Sequence, residues 1–214
     1  MKKIGLLCLA LVLALGTLGV GYAMWFDEVV IEGTVDTGTL RLGIVKADAT
    51  LYQDKDVATV ELDFEGEIAP WECDIPPGAE DFAYEKLLVT LNNTFPCLTV
   101  DIEFYVGAVT TVPIHITDLE MTDPSGELTV VWISLPGNPG DPNGYFYRTG
   151  GDPQEDRVLT FTVINLVSSQ LHDCDSDKAD LILHVEQPAE QDHEYQFEFK
   201  VIGEQWAECP PGIA

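Results

Sequence analysis

The chain has 214 residues and carries 37 Asp and Glu against 10 Lys and Arg, a formal net charge of −27 at neutral pH. Such a surface repels nucleic acid and anionic membranes, because phosphate binding needs clustered Lys and Arg, while it attracts divalent cations. A hydrophobic content of 46 % is too high for a disordered chain, and the length suffices for one domain with its own core.

The first element reads as an export signal. Lys2 and Lys3 form a positive start, residues 4–20 an apolar stretch, and Gly21-Tyr22-Ala23 a small-x-small site, which puts cleavage between Ala23 and Met24. A spanning helix wants about 20 predominantly apolar residues. This run is shorter and is weakened by Gly5, Gly16, Thr17 and Gly19, so cleavage is expected over retention as an anchor. Membrane contact is then confined to the uncleaved signal. Cys8 lies within the apolar stretch, upstream of where a lipidated cysteine would sit. Loss of Lys2 and Lys3 moves the formal charge from −27 to −29. Residues 24–214 remain as one expected domain.

A strand pattern begins at Met24 with no linker. In MWFDEVVIEG, Val29 and Ile31 share one face while Phe26 and Val30 share the other, with Trp25 near the new terminus. A strand freed by cleavage can pair in its own sheet or in a neighbour's. Apolar residues then alternate at period two along the chain: Leu40, Leu42 and Ile44; Val60, Leu62 and Phe64; Leu87, Val89 and Leu91. The pattern resumes with Val100, Ile102, Phe104 and Val106, then Leu159, Phe161 and Val163. It closes with Leu181, Leu183 and Val185, and with Tyr195, Phe197, Phe199 and Val201. Turn signals fall between them at 75–78, 92–96 and 123–126. Residues 79–88 are expected to hold a short helical turn, and the Gly/Pro-rich stretch 136–157 a long inserted loop. Many strands spaced by turns, without strand–helix alternation, predict an all-β, antiparallel β-sandwich of jelly-roll or immunoglobulin-like type.

Without Cys8 the chain keeps Cys73, Cys97, Cys174 and Cys209. An even number in an exported chain predicts two disulfides, and the absence of a CxxC pair argues against a zinc ribbon. Cys174 precedes one strong strand pattern and Cys209 follows the next, at the same end of a hairpin. That favours Cys174–Cys209, leaving Cys73–Cys97.

The chain offers little catalytic chemistry. HExxH, GxSxG, Walker A and GxGxxG are all absent, so a non-enzymatic role is expected. His115, His172, His184 and His193 are scattered and read as ordinary surface or strand residues. Asp173, Asp175, Asp177 and Asp180 alternate as carboxylates do in loops that hold calcium, yet lack the Gly and distal Glu of an EF-hand loop. They read as a charged turn, with calcium the alternative; no other cofactor is expected. Trp25, Trp71, Trp132 and Trp206 fit the rim of a sandwich core better than a carbohydrate-stacking face. Asn92-Asn93-Thr94 matches a glycosylation sequon in an expected turn, relevant where the host has that pathway.

The N-terminal block carries a resemblance. Ala23, Trp25 and Asp27, followed by Thr37-Gly38-Thr39-Leu40-Arg41-Leu42, resemble the mature start of the TasA/camelysin family, exported through a SipW-type signal peptidase. Pro77-Gly78, LLVTLNNTFPCLTVDI, VTTVPIHI at 109–116 and the stretch 184–206 are also similar to that family. Residues 118–157 match no part of it. The resemblance implies a jelly-roll subunit of extracellular fibres, pili or biofilm matrix. The partners would be further copies of itself and, during export, the SipW-type peptidase. In such fibres an N-terminal strand completes the next subunit's sheet. Here the donor would be 24–33, carrying Trp25, Phe26, Val29, Val30 and Ile31. The metalloprotease activity described for some camelysins does not carry over, since no HExxH is present. A monomeric surface module binding glycans or another protein is the alternative function.

Overall fold

The structure, a computed structural model, describes residues 39–53, 57–73, 76–134, 141–166 and 170–205. The signal region, the 24–33 strand, Trp206 and Cys209 lie outside the described residues.

The described chain forms eleven strands and no helix. They are β1 (Leu42–Tyr52), β2 (Thr59–Pro70), β3 (Phe82–Thr94), β4 (Thr99–Ala108), β5 (Ile114–Thr122) and β6 (Leu128–Ser134). After these come β7 (Asn143–Arg148), β8 (Arg157–Ile164), β9 (Gln170–Leu171), β10 (Ser176–Val185) and β11 (His193–Gln205). Every pairing is antiparallel. The strand order is β6-β7-β8-β10-β4-β1-β3-β11-β5-β9, with β2 beside β3.

That order cannot describe a flat sheet. β7 and β11 are six positions apart, a separation of about 29 Å at the usual strand spacing. Yet the rings of Phe146 on β7 and Phe197 on β11 lie 5.5 Å apart, and those of Phe104 on β4 and Phe199 on β11 lie 4.9 Å apart. The sheet therefore folds over into two facing layers. The fold line runs between β1 and β3, which share a single paired position, Ile44 with Tyr84. One layer is β6-β7-β8-β10-β4-β1 and the other β2-β3-β11-β5-β9.

The period-two pattern supplies the core between the layers. Val100, Ile102, Phe104 and Val106 are fully buried, as are Leu87, Val89 and Leu91, while the residues between them face outward on the same strands or are partly covered. Each such side chain contributes about 1.5–3 kcal/mol by leaving water. The described core runs from Leu42 to Val201, so a chain starting at residue 24 keeps all of it.

Three expectations need correction. Residues 79–88 do not form a helical turn: a turn at 76–79, closed by Ala79 N–H to the Pro76 carbonyl, leads directly into β3. Leu87 alternates there with Val89 and Leu91, and the sheet period overrides the local helical spacing. The stretch 136–157 is not one loop, because Asn143–Arg148 forms β7 between β6 and β8. Its Tyr145-Phe146-Tyr147 run is hidden among Gly and Pro in the sequence, but Phe146 is fully buried. The NNTFP turn also begins later than expected, since Asn92 to Thr94 are the last residues of β3.

The strands run between two poles. One gathers the β1–β2, β3–β4 and β10–β11 connections, as the pairs Tyr52 with Thr99, Thr99 with His184, and Thr94 with His193 show. The other holds the pairs Leu42 with Ala108, Gly107 with Ser176, and Ile114 with Gln205. Thr39, the first described residue, lies at this second pole, where its carbonyl accepts from Thr111 N–H.

Candidate functional site

The second pole is closed by a disulfide between Cys73 and Cys174, with Cα atoms 5.6 Å apart across 101 residues of sequence. This corrects both expected pairings, Cys174–Cys209 and Cys73–Cys97. The hairpin argument placed Cys174 by its neighbours in sequence; in the fold, the 71–81 loop crosses β1 and brings Cys73 to the head of β10. Trp71 N–H donates to the Asp81 carbonyl and Glu80 N–H to the Val45 carbonyl, which pins that loop. Trp71 is buried with Val45 and Ala83, and Cys73, Ala79, Tyr105 and Val109 pack around them. Gly107 makes room for the indole, since a Cβ there would stand 2.6 Å from two ring carbons.

Thr110 ties the same pole together. Its buried hydroxyl has the Thr39 and Val112 carbonyls within reach of its single hydrogen and accepts from Val112 N–H, while its own N–H reaches Asp173 Oδ1. The role of Thr110 is not legible from the sequence, where it is one Thr in VTTVPI; only the neighbouring chain shows what its hydroxyl meets.

Three of the four carboxylates considered for calcium are engaged elsewhere. Asp173 accepts from Thr110, and Asp175 Oδ2 accepts from His172 N–H, so both brace a tight turn. Asp180 faces Lys178 and accepts from Asn165. Burial, then the charge of Asp175, raises the Asp177 carboxyl above its ordinary value. Among the described residues no three His, Cys, Asp or Glu side chains gather as a metal site. Asp177 and Asp180 are three residues apart on β10 and so lie on opposite faces of that strand.

The remaining candidates are dispersed. His184 Nδ1 lies 3.0 Å from Thr99 Oγ1, and the His193 ring lies 4.6 Å from that of Tyr195, beside Glu127 and Glu190. Trp132 meets the Phe161 ring edge-on at 4.8 Å, as a rim residue does. Asn92 donates to Glu61 Oε1 from within β3, and the sequon hydroxyl of Thr94 is buried and donates to the His193 carbonyl. That hydroxyl is held inside the fold and does not stand in an open turn.

At the first pole, Cys97 is an exposed free thiol on the β3–β4 turn. Leu98 N–H donates to the Phe95 carbonyl, Cys97 N–H to the Val185 carbonyl, and the Gln187 side chain to Cys97 Sγ at 3.0 Å. A cleft of about 460 Å³ opens beside it, lined by Leu51, Tyr52, Gln53, Phe95, Pro96 and Cys97. None of these side chains carries a charge.

The lateral edges contrast with each other. Among the described residues β2 pairs only with β3, and β6 only with β7. β2 exposes Glu61, Asp63, Glu65 and Glu67, which repel an added strand in so acidic a chain. β6 reads Leu-Thr-Val-Val-Trp-Ile-Ser, with no charge, no Pro and no Gly, and Ile133 is largely exposed. This signal is visible in the sequence to a reader who asks which strands lack charge.

Most of the described cations meet carboxylates, while Arg157 lies 4.1 Å over the Tyr145 ring. Lys200 and Glu85, Lys86 and Glu198, and Lys178 and Glu103 pair across strands, while Lys46 meets Asp48 and Arg148 meets Glu190. Hydrogen bonding from Lys200 holds the Glu85 carboxyl below its usual range, and Lys178 does the same for Glu103. No family model matches this chain, and no curated protein or solved structure matches it.

Proposed function

We propose that the chain is a non-enzymatic, exported structural protein of TasA/camelysin type. It would be a jelly-roll subunit that assembles with copies of itself into extracellular fibres, pili or biofilm matrix by N-terminal strand addition. The observation that carries the reading is the open edge of β6, an uncharged strand with a single partner among the described residues. A strand laid along it satisfies the outer backbone groups and lets alternate side chains pack beside Trp132 and Val130.

Two further features support this reading. The 24–33 strand pattern precedes the described core, which runs from Leu42 to Val201, with alternate apolar residues suited to fill a neighbour's sheet. The Cys73–Cys174 disulfide is compatible with an oxidising, extracellular compartment.

The test compares residues 24–214 with 34–214 at rising concentration, kept reduced, by light scattering and negative-stain imaging. Fibres from the longer chain alone support strand addition. Monomers from both would move the account to a monomeric surface binding module.

A further inference from the structure

We propose that the outer face of the β7–β8–β10 corner binds a neutral glycan, centred on Tyr147, Arg157 and Glu186. Tyr145 and Tyr147 lie on the outer side of β7, since Phe146 between them is fully buried in the core. Thr160 lies outward between the buried Leu159 and Phe161, and Glu186 follows the buried Val185. The register sets Tyr145 opposite Thr160 and Tyr147 opposite Arg157. The two tyrosine rings are 6.4 Å apart.

Arg157 is the unusual member of this group. Its guanidinium carbon lies 4.1 Å from the centre of the Tyr145 ring, and stacking of this kind fixes the plane of the head group. A guanidinium carries five N–H donors in a rigid fork. Among the described residues Arg157 donates no hydrogen bond and meets no carboxylate, and its Nε is buried. The chain holds 37 Asp and Glu, so that isolation does not come from a shortage of acids. Arg157 is partly exposed, which leaves the outer end of the fork to a ligand.

Glu186 supplies the opposite half. Its N–H donates to the carbonyl of Val158, the residue after Arg157, and Thr160 Oγ1 donates to Glu186 Oε1 at 3.2 Å. The second oxygen has no hydrogen-bond partner among the described residues. A donor fork and a carboxylate on one face, not joined to each other, suit a group that accepts and donates together. Neighbouring sugar hydroxyls do both, one accepting from Arg157 and the other donating to Glu186.

Charge selects within that chemistry. An anionic ligand meets Glu186 and a chain of net charge −27, while a cationic one meets Arg157. A neutral sugar meets neither penalty. Tyr147, half-buried on the same face, offers its ring to the apolar side of a sugar. A strand added along β6 extends the sheet sideways and leaves this face open. The site would therefore serve a fibre subunit and a monomer alike, and it can fail separately from strand addition.

The test titrates residues 24–214 with neutral hexasaccharides of glucose, mannose, galactose and N-acetylglucosamine, by calorimetry at millimolar sugar. Hexagalacturonate is the anionic control. The expected result is that a neutral sugar binds and hexagalacturonate does not. Y147A and R157K should each weaken that binding by about tenfold or more while the melting temperature holds. R157K keeps the charge and loses the planar fork, so it separates hydrogen bonding by the fork from simple attraction. In the unsubstituted chain, amide NMR shifts on sugar addition should cluster at 145–147, 157–160 and 184–186, a readout that needs no variant to fold. No heat from any neutral sugar, tighter binding of hexagalacturonate, full affinity in both variants, or shifts confined to other strands would overturn the proposal.

Discussion

The two poles of the sandwich are made from the same material, connections between antiparallel strands, but they are closed in different ways. At the second pole a disulfide, the Trp71 cluster and the Thr110 hydroxyl fasten the loops to one another. At the first pole the turns are held by hydrogen bonds and ion pairs, among them Gln53 with Ala58, Thr94 with His193, Tyr195 with Glu190 and Arg148 with Glu190, with an exposed thiol and a cleft beside them. The difference teaches that the covalent and buried fastening of the described fold is gathered at one end of the sandwich.

Removing the bridge should break the comparison most. Cys73 and Cys174 close a loop of 101 residues, and a cross-link of that span limits the unfolded chain by up to about 4.7 kcal/mol. C73S/C174S should lose about 3–5 kcal/mol in urea unfolding. G107A forces a Cβ against the indole, which should cost about 1–3 kcal/mol in the same measurement and red-shift the Trp71 emission. T110V leaves Val112 N–H without its acceptor and takes one of two donors from the Thr39 carbonyl, an expected loss of about 1–2 kcal/mol.

The smallest effects sharpen the contrast. Asp177 has its carboxyl raised by burial and by Asp175, so its charged form opposes folding at neutral pH. That opposition fades as pH falls through the folded value and is gone below the unfolded one, about 3.9. D177N should therefore stabilise by less than about 1 kcal/mol at pH 7 and not at all at pH 3, read from paired thermal melts. Glu85 and Glu103 run the other way, because Lys200 and Lys178 lower them and their contribution is lost on acidification. At the open pole, C97S should change stability by no more than about 0.5 kcal/mol, since the thiol is exposed.

Much of the fold is legible in the sequence because strand alternation is a local property. Val100 to Val106 and Tyr195 to Val201 show their buried face within single short runs, and the structure buries those residues. β7 is not legible, because three aromatics between Gly and Pro give too short a period to distinguish from a loop. The Phe82–Thr94 strand begins with a spacing that suits a helical turn equally well, and only its pairing with β1, β2 and β11 decides between them. Disulfide partners are less legible still. Cys73 meets Cys174 through the path of a loop across β1, which no count of cysteines or hairpin argument reveals. The Asp173–Asp180 carboxylates stay apart for a related reason: the chain turns at 173–175, and Asp177 and Asp180 then stand on opposite faces of β10.

The central claim is that residues 24–33 of one copy add along the uncharged edge strand β6 of the next. Its most direct test is I133K in residues 24–214, a charge placed at an exposed position of that strand, read by negative-stain imaging and light scattering beside a thermal melt. The account predicts that fibres are lost while the melting temperature holds. Fibres from I133K at the level of the unsubstituted chain would contradict it.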